Sequence, residues 1–147
     1  MNWFNYYGLI FITIIMIPNT IYMVVNKCNF NSNYHNKVAE IFESIGRYGC
    51  FLLMIFNIPH TWFGFYFSNG ETVYIIVNSI LVFIYCILWI LFWKKNLLIK
   101  AILLSVLPSL VFIFSGIMLA YTLLIAFSII FCVTHILISV KNAELSN

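Results

Sequence analysis

Residues 97–140 carry only one charged side chain, Lys100, and one histidine, His135. A helix rising ~1.5 Å per residue crosses a ~30 Å hydrocarbon layer in about 20 residues, so this run is long enough to cross twice and must fold back on itself. The rest of the chain is similar. Of 147 residues, 64% are hydrophobic and 7% are charged, with a mean hydropathy of +1.05. Soluble domains carry about a quarter charged residues and could not bury this much apolar surface. Lipid must solvate it, and in lipid the backbone amides and carbonyls have to be satisfied within the chain. The expectation is an all-α fold, a polytopic transmembrane helical bundle forming one membrane domain over residues 1–147.

Hydropathy predicts five spans, at about 3–25, 48–67, 72–93, 97–116 and 120–140. The first has neither a basic leader nor a small-residue cleavage site, so it is expected to stay as a span. Its Pro18 deprives the Ile14 carbonyl of its helical donor, and Asn19 and Thr20 follow at once, which turns that face toward protein. The Asn-rich stretch 26–36 reads as a connector. Beyond it Val38, Ile41, Phe42 and Ile45 recur at helical spacing, with Lys37, Glu40, Glu43 and Arg47 on the other side. That pattern predicts a short amphipathic helix, about 37–45, lying in the cytoplasmic interface and capped by Asn36 or Asn33. A continuous second helix projecting into the cytoplasm satisfies the pattern equally. Glu43 and Arg47 are spaced for an i,i+4 ion pair. Ser68-Asn69-Gly70-Glu71 reads as a tight turn with left-handed backbone at Asn-Gly. Ser115-Gly116, followed by Tyr121 and Thr122, marks the turn into the fifth span.

Charge sets the expected topology. With five spans, Lys27, Lys37 and Arg47 share one side with Lys94, Lys95, Lys100 and Lys141, and the opposite side has no Lys or Arg. The positive-inside rule then places the N-terminus outside and the C-terminus in the cytoplasm. A net charge of +3, spread this thinly, gives no surface for nucleic acid.

Polar residues inside the spans are the candidate functional residues. Asn57, Pro59, His60 and Thr61 interrupt the second span, and Cys50, Leu53, Asn57, His60 and Gly64 follow one another at steps of three and four. Ser128, Cys132, His135 and Ser139 make a similar stripe in the fifth. Such stripes serve helix packing, with small residues allowing close approach and polar side chains bonding across the contact. They also fit a polar path, since intramembrane ionisable groups mark functional sites and a proline-loosened helix offers free carbonyls. Here Pro59 would free the Ile55 carbonyl and Pro108 that of Leu104. The candidate polar intramembrane region comprises Asn19, Asn57, His60, Thr61, Asn78 and His135.

Several chemistries are disfavoured. His60 and His135 are expected to differ in depth by roughly 10 Å, too far to share a metal with ~2.1 Å bonds, and neither a metal nor another cofactor is expected. The chain has no Asp, and Glu40, Glu43, Glu71 and Glu144 are all expected at or beyond the interfaces, which removes paired-carboxylate catalysis. Catalytic signatures such as GxSxG, HExxH and CxxC are absent from the sequence. Ser105 or Ser109 with a histidine would lack an orienting acid. Cysteines 28, 50, 86 and 132 have no ligand-like spacing and read as reduced packing residues.

The segments Ile45-Gly46-Arg47-Tyr48-Gly49-Cys50, Phe56-Asn57-Ile58-Pro59, Phe114-Ser115-Gly116-Ile117 and Thr134-His135, in a chain rich in Ile, Asn, Phe and Lys, resemble small uncharacterised polytopic membrane proteins of low-GC Gram-positive bacteria. That resemblance implies a bacterial cytoplasmic membrane location and brings no assigned activity. The expected role is non-enzymatic, as a subunit, regulator or accessory of a membrane complex. The alternative is a small transporter or permeation subunit using Asn57, His60 and Asn78. Expected partners are the lipid bilayer and other membrane proteins or further copies of the chain.

Overall fold

A computed structural model describes residues 3–25, 35–93 and 98–145. Their secondary structure is helical, in five elements: α1 (Tyr6–Val25), α2 (Lys37–Ile55), α3 (Gly70–Leu91), α4 (Leu98–Met118) and α5 (Thr122–Leu145). Four of them, α1, α3, α4 and α5, are long and apolar enough to cross a membrane. Most of the predicted connector 26–36, with Lys27, Cys28 and Asn33, and the basic pair Lys94 and Lys95 lie outside the described residues.

Cross-helix contacts fix the directions. Asn5 and Gly8 at the start of α1 meet Ile55 and Met54 at the end of α2, so these helices are antiparallel. Phe11 meets Tyr74 while Tyr22 meets Trp89, so α1 and α3 run parallel. Asn78 of α3 bonds Ser115 near the end of α4, and Gly116 of α4 abuts Ile125 early in α5. The last pairing, α2 with α5, is antiparallel through Gly46 with Phe131 and Cys50 with Ser128. Helices consecutive in the chain therefore alternate in direction, and the contacts close a ring in the order α1, α2, α5, α4, α3. One end carries the chain's start and the loops 56–69 and 119–121; the other carries Lys37, Lys100 and Lys141, and is called the basic end below.

The second helix differs from the expectation in two ways. Residues 37–45 and the start of the expected 48–67 span form one helix, Lys37–Ile55, and the chain beyond Ile55 leaves the helix. Asn36 caps the start, its side chain accepting from the Val38 and Ala39 amides at 3.1 and 3.3 Å. Pro59 explains the end. It has no amide to give the Ile55 carbonyl and pushes Ile58 out of helical backbone. The Ile55 carbonyl takes the Asn5 amide instead, at 2.7 Å, and the Asn57 amide donates to the Trp3 carbonyl at 2.8 Å. The start of the chain thus caps α2.

The same helix is turned over relative to a surface helix. Val38, Ile41, Phe42 and Ile45 are exposed, while Glu43 is 5% exposed and faces the bundle.

Two turns also differ. Gly70 is the first residue of α3, and among the described residues the left-handed conformation belongs to His60, Gly64 and Ala120. Gly70 is needed for closeness, since a Cβ there would stand 2.6 Å from that of Phe65. Helix α4 continues past Ser115 and Gly116, which are buried within it, to Met118. Pro18 and Pro108 both lie inside helices that continue through them.

Candidate functional site

The six sequence candidates fall in three places. Asn57, His60 and Thr61 belong to the loop that closes the N-terminal end. There Tyr121, itself fully buried, accepts the Ile58 amide at 3.0 Å and donates to the Phe56 carbonyl at 3.1 Å. The Thr61 carbonyl receives the Thr122 amide at 3.1 Å, and the Gly64 amide donates to the Leu119 carbonyl at 3.1 Å. Asn57 is buried under this closure, whereas His60 is exposed. The helical stripe read through Cys50, Leu53, Asn57, His60 and Gly64 therefore holds only as far as Leu53.

Asn78 occupies the interior. It is fully buried, and it and Ser115 exchange hydrogen bonds, Asn78 Nδ2 to Ser115 Oγ at 3.2 Å and Ser115 Oγ to Asn78 Oδ1 at 3.4 Å. Near it Asn5 Nδ2 donates to the Tyr74 hydroxyl at 3.2 Å. Asn19, toward the basic end, accepts from the Tyr85 hydroxyl at 2.9 Å. The turn after Pro18 faces protein through that residue, while Thr20 points outward and bonds the Met16 carbonyl of its own helix.

His135 belongs to a charged cluster that the sequence reading divided between an interface and a span. Its Nδ1 lies 3.0 Å from Glu43 Oε1, and Arg47 holds the same carboxylate oxygen through Nε at 3.0 Å and through Nη2. The imidazole stacks on Phe131, with ring centroids 4.6 Å apart. Glu43 is enclosed between α2 and α5, a burial that its helix position alone does not announce. The missed signal was the pairing of its helix position with Gly46 and Gly49, which bring α5 close to that face.

On another side of the bundle a cation is buried without a carboxylate among the described residues. Lys100, in the first turn of α4, is 7% exposed, and its Nζ has no hydrogen-bond partner among the described residues. It stands over the rings of Tyr22 and Trp89, 4.6 and 5.2 Å from their centroids. Cation–π contacts in a desolvated site contribute about 2 kcal/mol, less than the several kcal/mol that desolvating an ammonium costs. The rings alone do not compensate the charge. From the sequence Lys100 serves only as a topology marker.

Nucleophile and ligand readings gain nothing from the geometry. Ser105 donates to the Ala101 carbonyl at 2.7 Å and Ser109 to the Ser105 carbonyl at 2.9 Å, so both hydroxyls bond their own helix. Among the described residues no three of His, Cys, Asp and Glu gather as metal ligands. His60 lies at one end of the bundle and His135 in the opposite half. Compared with protein-family models, curated proteins and solved structures, the chain matches none.

Proposed function

We propose that this chain is a five-span integral protein of a bacterial cytoplasmic membrane, acting without catalysis as a subunit, regulator or accessory of a membrane complex. One observation carries the reading: the buried polar side chains tie helix to helix. Asn78 bonds Ser115, Asn19 bonds Tyr85, and Glu43 bonds His135 across three different helix contacts. Polar groups used this way hold a scaffold together, while large apolar side chains of α1, α2 and α3 point outward, available to lipid and to partner helices.

In this arrangement α2 serves as the second crossing together with the loop to Phe67, and the basic end faces the cytoplasm. The transporter alternative has less to stand on, because His60 is exposed at a bundle end and Asn78 lies about two turns inside α3. The test is mild-detergent extraction from native membranes followed by size analysis and partner identification. A stoichiometric complex or a defined homo-oligomer supports the reading; a monodisperse monomer with no partner overturns it. A reporter fused to the C-terminus should be active only in the cytoplasm, and the opposite result would remove the five-span topology.

A further inference from the structure

The unpaired charge on Lys100 is one of two orphaned donors at the same place. The indole Nε1 of Trp89, whose ring lies under the Lys100 ammonium, is buried and has no hydrogen-bond partner; the Tyr85 hydroxyl is nearby but outside hydrogen-bond geometry. A buried ammonium and a buried indole N–H, both without an acceptor, call for an oxyanion. Their depth is informative. Tyr22 is in the last turn of α1, Trp89 in the last turn of α3 and Lys100 in the first turn of α4, so the donors sit at the basic end, where headgroups meet the hydrocarbon.

An apolar groove begins at the same indole. It runs between α1 and α3, lined by Ile14, Ile17, Pro18, Ile21, Trp89 and Trp93, with no polar surface and a volume of about 260 Å³. It opens outward, toward the hydrocarbon. We infer that this groove and Lys100 together bind one anionic phospholipid, its phosphate accepting from Lys100 Nζ and Trp89 Nε1 and an acyl chain lying along the groove. Charge complementarity selects a net-negative headgroup, and the groove selects a lipid over free phosphate, which has nothing to place there. The inference rests on the membrane reading above.

The test uses the full chain reconstituted into vesicles of phosphatidylcholine to which brominated lipids are added, with tryptophan quenching as the readout. Bromine on the acyl chain quenches an indole only on contact, and two of the four tryptophans line the groove. Brominated phosphatidylglycerol should quench at a concentration at least about tenfold lower than brominated phosphatidylcholine of the same chain length, the difference a charge-assisted hydrogen bond provides. Lys100→Gln should abolish that preference and Lys100→Arg should keep it. Ile17→Phe, which fills the groove without touching the charge or adding an indole, should raise the concentration of phosphatidylglycerol needed to quench.

Equal quenching by the two lipids, or a preference that survives Lys100→Gln, overturns the inference. Relief of quenching by millimolar inorganic phosphate would make the site one for free anion and overturn the lipid assignment. Should Lys100→Gln fail to reconstitute, wild type, Lys100→Arg and Ile17→Phe still decide the outcome. Failure of the wild-type chain to enter vesicles at all would overturn the membrane reading, a result distinct from insertion without lipid preference.

Discussion

Glu43 Oε1 and His135 Nδ1 lie 3.0 Å apart across the contact between α2 and α5, although 92 residues separate them in the chain. Arg47 grips the same oxygen from one turn along α2. The carboxylate side chain is 7% exposed and the guanidinium 39%, so the two charges depend on each other unequally.

That inequality predicts the order of two substitutions. Arg47→Ala strands a buried carboxylate with only the imidazole, and breaking a buried pair from one side costs about 3–5 kcal/mol. Glu43→Gln removes the charge that needs compensation and leaves Arg47 free to reach water, so it should cost nearer to ~1 kcal/mol. Thermal unfolding in detergent should give a larger fall in midpoint for Arg47→Ala, and the reverse order would refute this account of the cluster.

Close approach of α2 and α5 depends on glycine. A Cβ at Gly46 would stand 2.8 Å from the Phe131 backbone nitrogen, whereas one at Gly49 would meet the Phe127 ring. Backbone cannot yield as a ring can, so Gly46→Ala should destabilise by about 1–3 kcal/mol and Gly49→Ala by less. Unfolding midpoints of the two variants, taken with the wild type, check the order.

Asn78 and Ser115 should show coupling but no transport phenotype. Each is the other's partner in a fully buried contact between α3 and α4. A double-mutant cycle of Asn78→Leu and Ser115→Ala should return about 0.5–2 kcal/mol, the range for polar contacts between membrane helices. Zero coupling would mean the pair is not a tie, and would reopen Asn78 as a lining residue.

How much of this was legible in the sequence depended on whether the signal was local. Hydropathy is local, and it located α1, α3, α4 and α5 to within a few residues. The i,i+4 spacing of Glu43 and Arg47 was also readable, as was the Asn36 cap. Which way that helix faced was not, because an apolar stripe looks the same whether it meets lipid or a protein core. The environment of α2 decided it: Gly46 and Gly49 let α5 onto the charged side, and the apolar side chains were left outward.

The order of residues alone determined that the chain is helical and predicted five spans, because lipid leaves the backbone few other solutions; four of the five helices are long and apolar enough to cross a membrane. Pro59 alone determined that the second helix could not run smoothly on. Only the tertiary structure decided what replaced the lost bond, namely the Asn5 amide on the Ile55 carbonyl, and which charges were buried with partners and which without. Those outcomes rest on contacts between segments tens of residues apart, where neither spacing nor composition carries the information.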